Sequence, residues 1–334
     1  MKWYPWLRPA FEKLSGQYQA GHGHPALLIH AIPGMGEDAL CYALARLKMC
    51  QSPQGNKSCG QCRGCQLMQA GTHPDYTAVV PEKGKQNLGI DVIRDVTDKL
   101  YNRASLGGAK VVWIKDVTLL TEAAANALLK TLEEPPENTW FLMACHEPDK
   151  LLPTLRSRCF YFPLGVPDEP WAQAWLQRES GSDTVQCLAA LRLSCGAPAA
   201  ALSLLQPDST ALRNKFCEQL TQALNNREFY SLLALMNQER ATDILWWFST
   251  LLVDALKLQQ HAGQSVMNVD RLPLVEQLAG YPGMVLQAIC AAVFQLREQL
   301  LAVPGINREL LLAEQLLAWE HYLQPGATLP SIHL

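Results

Sequence analysis

Apolar positions along this chain repeat in two different ways, and the switch between them divides it. In the first ~165 residues, short apolar runs alternate with helical periodicity. The runs are Ala26 to Ile32, Tyr76 to Val80, Lys110 to Ile114, Thr139 to Ala144 and Cys159 to Phe162, each short enough for a strand buried on both faces. Between them, a helical pattern covers about Glu37 to Cys50, and Ile93, Val96 and Leu100 mark one face of a second helix. A third starts at Thr121, a good N-cap residue, runs through alanine-rich turns and stops before Pro135-Pro136. Repeated strand–helix–strand units predict an α/β fold with a parallel sheet covered by helices on both faces.

From Pro163 to Pro170 the pattern changes, and no strand follows. A short helical region covers 166–207, and a longer all-helical region covers 208–334. The last helix is the plainest, with Leu312, Leu316, Trp319 and Leu323 spaced by four, three and four. The 334 residues suffice for two or three domains, and with 49% hydrophobic and 18% charged residues the chain reads as soluble and well packed.

Charge narrows the function. The formal net charge is −3, whereas proteins that hold nucleic acid by themselves carry a basic excess that neutralises phosphates. A protein partner is the better expectation. The opening residues have no signal-type apolar core, and the apolar stretch Ile244 to Leu258 is short and interrupted by Asp254 and Lys257, so no membrane is implied. Eleven cysteines without a secretion signal indicate a reducing, cytoplasmic setting.

Four of those cysteines form a set. Cys50, Cys59, Cys62 and Cys65 are spaced C-x8-C-x2-C-x2-C, with Gly60 and Gly64 supplying tight turns. Four thiolates suit a tetrahedral Zn²⁺ with no open position, hence a structural metal, with an iron–sulfur cluster as the alternative. The fourth ligand has competitors in Cys41 and His73. Cys41 lies nine residues before Cys50, which on one helix puts the two on opposite faces.

After the first strand comes Ala31-Ile32-Pro33-Gly34-Met35-Gly36-Glu37-Asp38. A working phosphate loop reads G-x-x-x-x-G-K-[ST], its lysine on the terminal phosphates and its hydroxyl on Mg²⁺. Gly34 and Gly36 keep the turn, but Glu37 stands at the lysine position and Asp38 at the hydroxyl position. Two carboxylates would face a polyanion, which opposes ATP binding. The strand that should end in a metal-binding acidic pair ends instead in Lys115-Asp116. These two losses argue against an enzyme.

The segment Asn126-Ala127-Leu128-Leu129-Lys130-Thr131-Leu132-Glu133-Glu134-Pro135-Pro136 resembles the signature helix of the bacterial clamp-loader subunits of the AAA+ family, and Ser157-Arg158-Cys159 resembles their Ser-Arg-Cys motif. The cysteine module sits where those subunits carry zinc. The degenerate loop, the Tyr4-Pro5-Trp6-Leu7 opening and the Gly305 to Leu310 segment are similar to the branch that does not bind ATP. Ala199, shortly after Gly196, stands where active members carry a nucleotide-sensing arginine.

The resemblance covers essentially the whole chain. It implies a AAA+ module over 1–165 with the zinc module at about 50–65, a small helical lid over 166–207 and a helical collar over 208–334. It also implies that Arg158, flanked by Ser157 and Cys159, acts as an arginine finger in a neighbour's ATP site. The chain would sit in a five-membered ring with ATP-binding gamma/tau-type and delta subunits, as part of the DNA polymerase III holoenzyme. That ring loads a sliding clamp onto primed DNA. An active AAA+ ATPase and a zinc-ribbon nucleic-acid binder are the other readings.

Overall fold

The structure, a computed structural model, describes the chain except Met1 and residues 82–84, 86, 107, 304 and 325–334. The last ten residues of the expected collar thus lie outside the described residues. The chain divides into two compact units, Met1–Pro167 and Asp168–Leu334.

In the first unit the elements run α1 (Arg8–Gln19), β1 (Ala26–His30), α2 (Glu37–Met49), α3 (Arg63–Ala70), β2 (Tyr76–Val79), α4 (Ile90–Leu100), β3 (Lys110–Ile114), α5 (Glu122–Glu133), β4 (Thr139–Cys145), α6 (Pro153–Arg156) and β5 (Phe160–Pro163). The sheet is parallel, in the order β2-β3-β4-β1-β5. Register places Leu28 opposite Met143 and Val112 opposite Phe141. Leu28, Val112, Ile114, Phe141 and Met143 share one core with Ile93, Val96 and Leu100 of α4 and Leu128 and Leu132 of α5.

The alternate residues Leu27, Ile29, Val111, Leu142 and Ala144 are just as buried, and α2 lies against β3 and β4. Burial on both faces is why these strands read as continuous apolar runs rather than alternating ones. Thr121 caps α5 by accepting from the amide of Ala124 at 3.3 Å.

Two local expectations need adjustment. β1 ends at His30; Ala31 still donates to the Cys145 carbonyl at 3.1 Å, after which Pro33 turns the chain away. β5 starts at Phe160, because Cys159 belongs to the turn after α6 and its thiol donates to the Leu155 carbonyl at 3.2 Å. Lys110, which opens β3, differs from the exposed Lys130. It is buried, and its ammonium donates to the carbonyls of Leu100 and Asn102, satisfying the C-terminal end of α4.

The second unit is helical: α7 (Glu169–Ser180), α8 (Thr184–Leu193), α9 (Pro198–Leu204), α10 (Pro207–Asn226), α11 (Leu233–Met236), α12 (Ala241–Gln259), α13 (Leu272–Ala279), α14 (Gly283–Ala302) and α15 (Arg308–Tyr322). Asp168, Asp183 and Asn307 cap α7, α8 and α15. From α10 onward one core joins the helices, with Phe248 in ring contact with both Phe216 and Trp319. The α15 stripe of Leu312, Leu316 and Trp319 is fully buried in it, and Trp247 joins them.

The charges that interrupt the apolar run of α12 have a structural task. Asp254 is fully buried and accepts from the amides of Met267 and Asn268 (3.0 and 2.8 Å), from Asn268 Nδ2 and from Lys257. A different helix, α14, is long and apolar enough by length and composition to cross a membrane. Its Val285, Leu286, Ile289, Val293 and Leu296 lie in the helical core instead.

Packing of this kind sets a testable contrast on α15. Trp319→Ala should destabilise the helical unit by about 3–5 kcal/mol. Leu317→Ala, on the exposed face of the same helix, should stay within about 0.5 kcal/mol of the parent. Urea denaturation of both variants measures the difference.

Candidate functional site

The cysteine module hangs from the C-terminal end of α2. Cys50 follows its last turn, Cys62 is the N-cap of α3, and Cys65 lies in the first turn of α3. All four sulfurs fall within 4.8 Å of one another, and neither Cys41 nor His73 belongs to the group. Cys41 is buried in α2, and His73 Nδ1 accepts from the amide of Asp75. The sulfurs of Cys50 and Cys62 are 3.9 Å apart and those of Cys59 and Cys65 are 4.0 Å apart. A tetrahedral S₄ site with metal–sulfur bonds of about 2.3 Å requires about 3.8 Å.

Amides of Gln51, Cys59, Cys62 and Cys65 point at the sulfurs at 3.2–3.5 Å and favour thiolates. Burial works upward on the Cys62 thiol, but the amides of Cys65 and Gln51 outweigh it and bring it to about 6. Burial pushes Cys65 up to about 12, a bias that a bound cation would reverse. Gly60 does adopt the left-handed backbone a turn needs. Gly64 serves differently: a Cβ there would stand 2.2 Å from the Met49 carbonyl oxygen, so only glycine lets α3 approach α2. The four cysteines can hold a metal ion.

At the other end of α2 lies the phosphate-type loop. Gly34 and Gly36 have φ of 87° and 84°. Met35 between them is fully buried, and its carbonyl accepts from Trp6 Nε1 at 2.7 Å. Tyr4 stacks on Trp6 and packs so closely on Gly36 that a Cβ would sit 2.6 Å from its ring. The N-terminal Tyr4–Leu7 segment therefore covers the loop.

The first turn of α2 brings Glu37 and Asp38 to the ends of β3 and β4. Lys115 pairs with Asp38 Oδ2 at 3.5 Å. His146, the residue after β4, stands between two carboxylates: Nε2 is 2.8 Å from Glu37 Oε1 and Nδ1 is 3.2 Å from Asp116 Oδ2. Asp116 Oδ1 also accepts from the amide and hydroxyl of Thr118. Hydrogen bonds to Asp116 and then Glu37 raise His146 to about 10 against the opposing effect of burial.

Burial acts upward on Asp116, but its bonds from His146 and Thr118 prevail and hold it below the usual carboxylate range. Burial raises Asp38, with Lys115 opposing. His146 was not among the residues singled out by sequence. It carries no motif, and only its place directly after a strand facing the loop could have marked it.

Arg158 lies elsewhere on the same unit, in the turn between α6 and β5. Its Nε donates to Glu133 Oε1 at 2.6 Å and its Nη1 to the Thr154 carbonyl at 2.8 Å, while its side chain remains 30% exposed. Ser157 is exposed and donates to the Thr154 carbonyl. Burial raises the Cys159 thiol to about 12, which marks it as a packing group rather than a nucleophile. Glu133 closes α5, so the signature helix and the Ser-Arg-Cys turn meet through this ion pair.

Family comparison agrees along the chain. Residues 6–167 match the family described as DNA polymerase III, delta subunit, and residues 207–321 its C-terminal counterpart. Residues 167–206 match the AAA+ ATPase lid domain of DNA polymerase III subunit delta'. The DNA polymerase III subunit delta' of Escherichia coli K12 is 58% identical over 336 residues, covering 100% of both chains. The chain belongs to the DNA polymerase III delta prime family.

Other delta prime proteins match at lower identity. That of Yersinia pestis is 52% identical, covering 99% of this chain and 100% of its own. That of Haemophilus influenzae is 39% identical, covering 94% and 95%. Delta prime membership brings the AAA+ fold with it, and the parallel sheet, lid and helical C-terminal region of this chain are its parts.

The cysteine cluster makes a direct prediction. Chelator treatment should lower the thermal midpoint of the first unit and expose four thiols to a thiol reagent, and one equivalent of Zn²⁺ should reverse both. Cys59→Ser should weaken metal retention, whereas Cys195→Ser, at an exposed thiol outside the cluster, should leave it unchanged.

Proposed function

We propose that this chain serves in a clamp loader as a subunit that neither binds nor hydrolyses ATP, and completes the ATP site of a neighbouring subunit through Arg158. The observation that carries this reading is a contrast within one unit. The chain's own phosphate loop is lined by Glu37 and Asp38 and tied off by Lys115 and His146, whereas the Ser-Arg-Cys turn keeps a partly exposed arginine. A guanidinium is permanently charged and forks onto phosphate oxygens, so it suits a site on another molecule. Ala199 in place of a nucleotide-sensing arginine fits the same loss.

In this reading residues 1–165 form the AAA+ module, 166–207 the lid and 208–334 the collar that joins the ring. The partners are ATP-binding gamma/tau-type subunits and delta, in a cytoplasmic five-membered ring that places a sliding clamp on primed DNA. The cysteine module would hold structural Zn²⁺ at Cys50, Cys59, Cys62 and Cys65, which closes the loop after α2 and leaves no open coordination position. The net charge of −3 does not favour a free-standing DNA binder.

Arg158→Ala, assembled with its partner subunits, is the test. The variant should fold and assemble, but DNA-stimulated ATPase at the adjoining site should fall by about 10³-fold or more. Unchanged ATPase and clamp loading by the variant ring would contradict the trans role.

A further inference from the structure

We infer that His146 is the positioning residue of the silent site: its ring ties the first turn of α2 to the end of β3, in the place where a working phosphate loop is held by its nucleotide and metal. The inference rests on the silent-site reading above and adds the means by which the loop is held. Three elements converge there. Glu37 comes from α2, Asp116 from beyond β3, and His146 from the end of β4, the strand that lies between β3 and β1 in the sheet.

Hydrogen-bond arithmetic sets the state of the ring. Both carboxylates accept, so a ring nitrogen must donate to each, and a neutral imidazole has only one N–H. Two short contacts, 2.8 Å to Glu37 and 3.2 Å to Asp116, are met together by an imidazolium. Charge balance agrees. The ring bonds Glu37 from α2 and Asp116 from beyond β3, and the charge of Asp38, itself paired with Lys115, acts on it from the same turn of α2; Cys145 and Glu147 are its chain neighbours, and Arg156 of α6 acts on Cys145. Within the inner group, the carboxylates of Glu37, Asp38 and Asp116 meet one lysine. With a neutral ring the formal sum is −2, and with a protonated ring it is −1.

Nothing else among the described residues does this work for Glu37. Its carboxylate is buried and its second oxygen has no partner, so removing the ring would leave a buried charge uncompensated. The sign of the pH dependence follows. The folded value lies above the ordinary histidine value, about 10 against 6.5. The stabilisation is complete below the ordinary value and is lost as pH rises through the folded one.

The experiment uses the full chain in three forms: parent, His146→Gln and His146→Arg. Nitrogen NMR of labelled histidine in the parent should show both ring nitrogens protonated at about pH 8, well above the ordinary histidine range. Hydrogen exchange in the loop around Gly34 to Asp38 should speed up by about tenfold or more in His146→Gln. His146→Arg, a fixed cation able to fork between two acceptors, should restore it. The parent should lose denaturant resistance as pH rises towards about 10, and His146→Arg should not.

A neutral ring at about pH 8, loop exchange in His146→Gln equal to the parent, or no rescue by arginine would overturn the positioning role. If the glutamine variant fails to fold, the parent titration and the arginine variant still decide. Adding Mg·ATP to the parent in the same exchange experiment separates the two readings. Protection of the loop by nucleotide would sink the silent site itself, whatever His146 does.

Discussion

Everything distinctive in the first unit depends on the charge carried by the first turn of α2. A helix N-terminus attracts anions, and a phosphate loop uses that attraction for its substrate. Here Glu37 and Asp38 supply the anions from within the helix. Their charge complements the helix end and, by the same act, opposes a polyanion. Lys115 and His146 then close the group by pairing with the carboxylates that remain. In the reading proposed above, what would be a binding site becomes a cross-link between the ends of β3 and β4 and the start of α2.

The same helix carries the second feature of the unit at its far end. α2 has 13 residues, about 20 Å of helix, and its last turn delivers Cys50 to the cysteine module. One helix therefore joins the loop proposed to be silent to the cysteine module. In the reading proposed above, the protein's own side chains hold both ends, Lys115 and His146 at one and the four cysteines at the other. Such a unit suits a part that holds its shape while its neighbours change theirs. Arg158 is held differently, in an exposed pair with Glu133, an interaction weak enough to exchange for a better anion.

Much of this could be read from the chain. The strands were legible because burial on both faces leaves nothing but apolar residues, as in Val111 to Ile114. The cysteine spacing and the Glu37/Lys115 losses were legible because each occupies one position in a short motif. What the sequence hid is contact at long range. His146 lies 109 residues from Glu37 and 30 from Asp116, and no local pattern joins them. Nor does a local pattern join Lys110 to the end of α4, whose carbonyls it bonds. Asp254 looked like a break in an apolar helix, yet it anchors the segment around Met267 and Asn268.

The central claim is that a self-satisfied site cannot take nucleotide. Calorimetric titration of the isolated, folded chain with Mg·ATP tests it without any partner. The account predicts no saturable heat at nucleotide concentrations up to about 1 mM, a bound on affinity of about 4 kcal/mol. Stoichiometric binding in the micromolar range, abolished by changing Gly34 or Gly36, would contradict it.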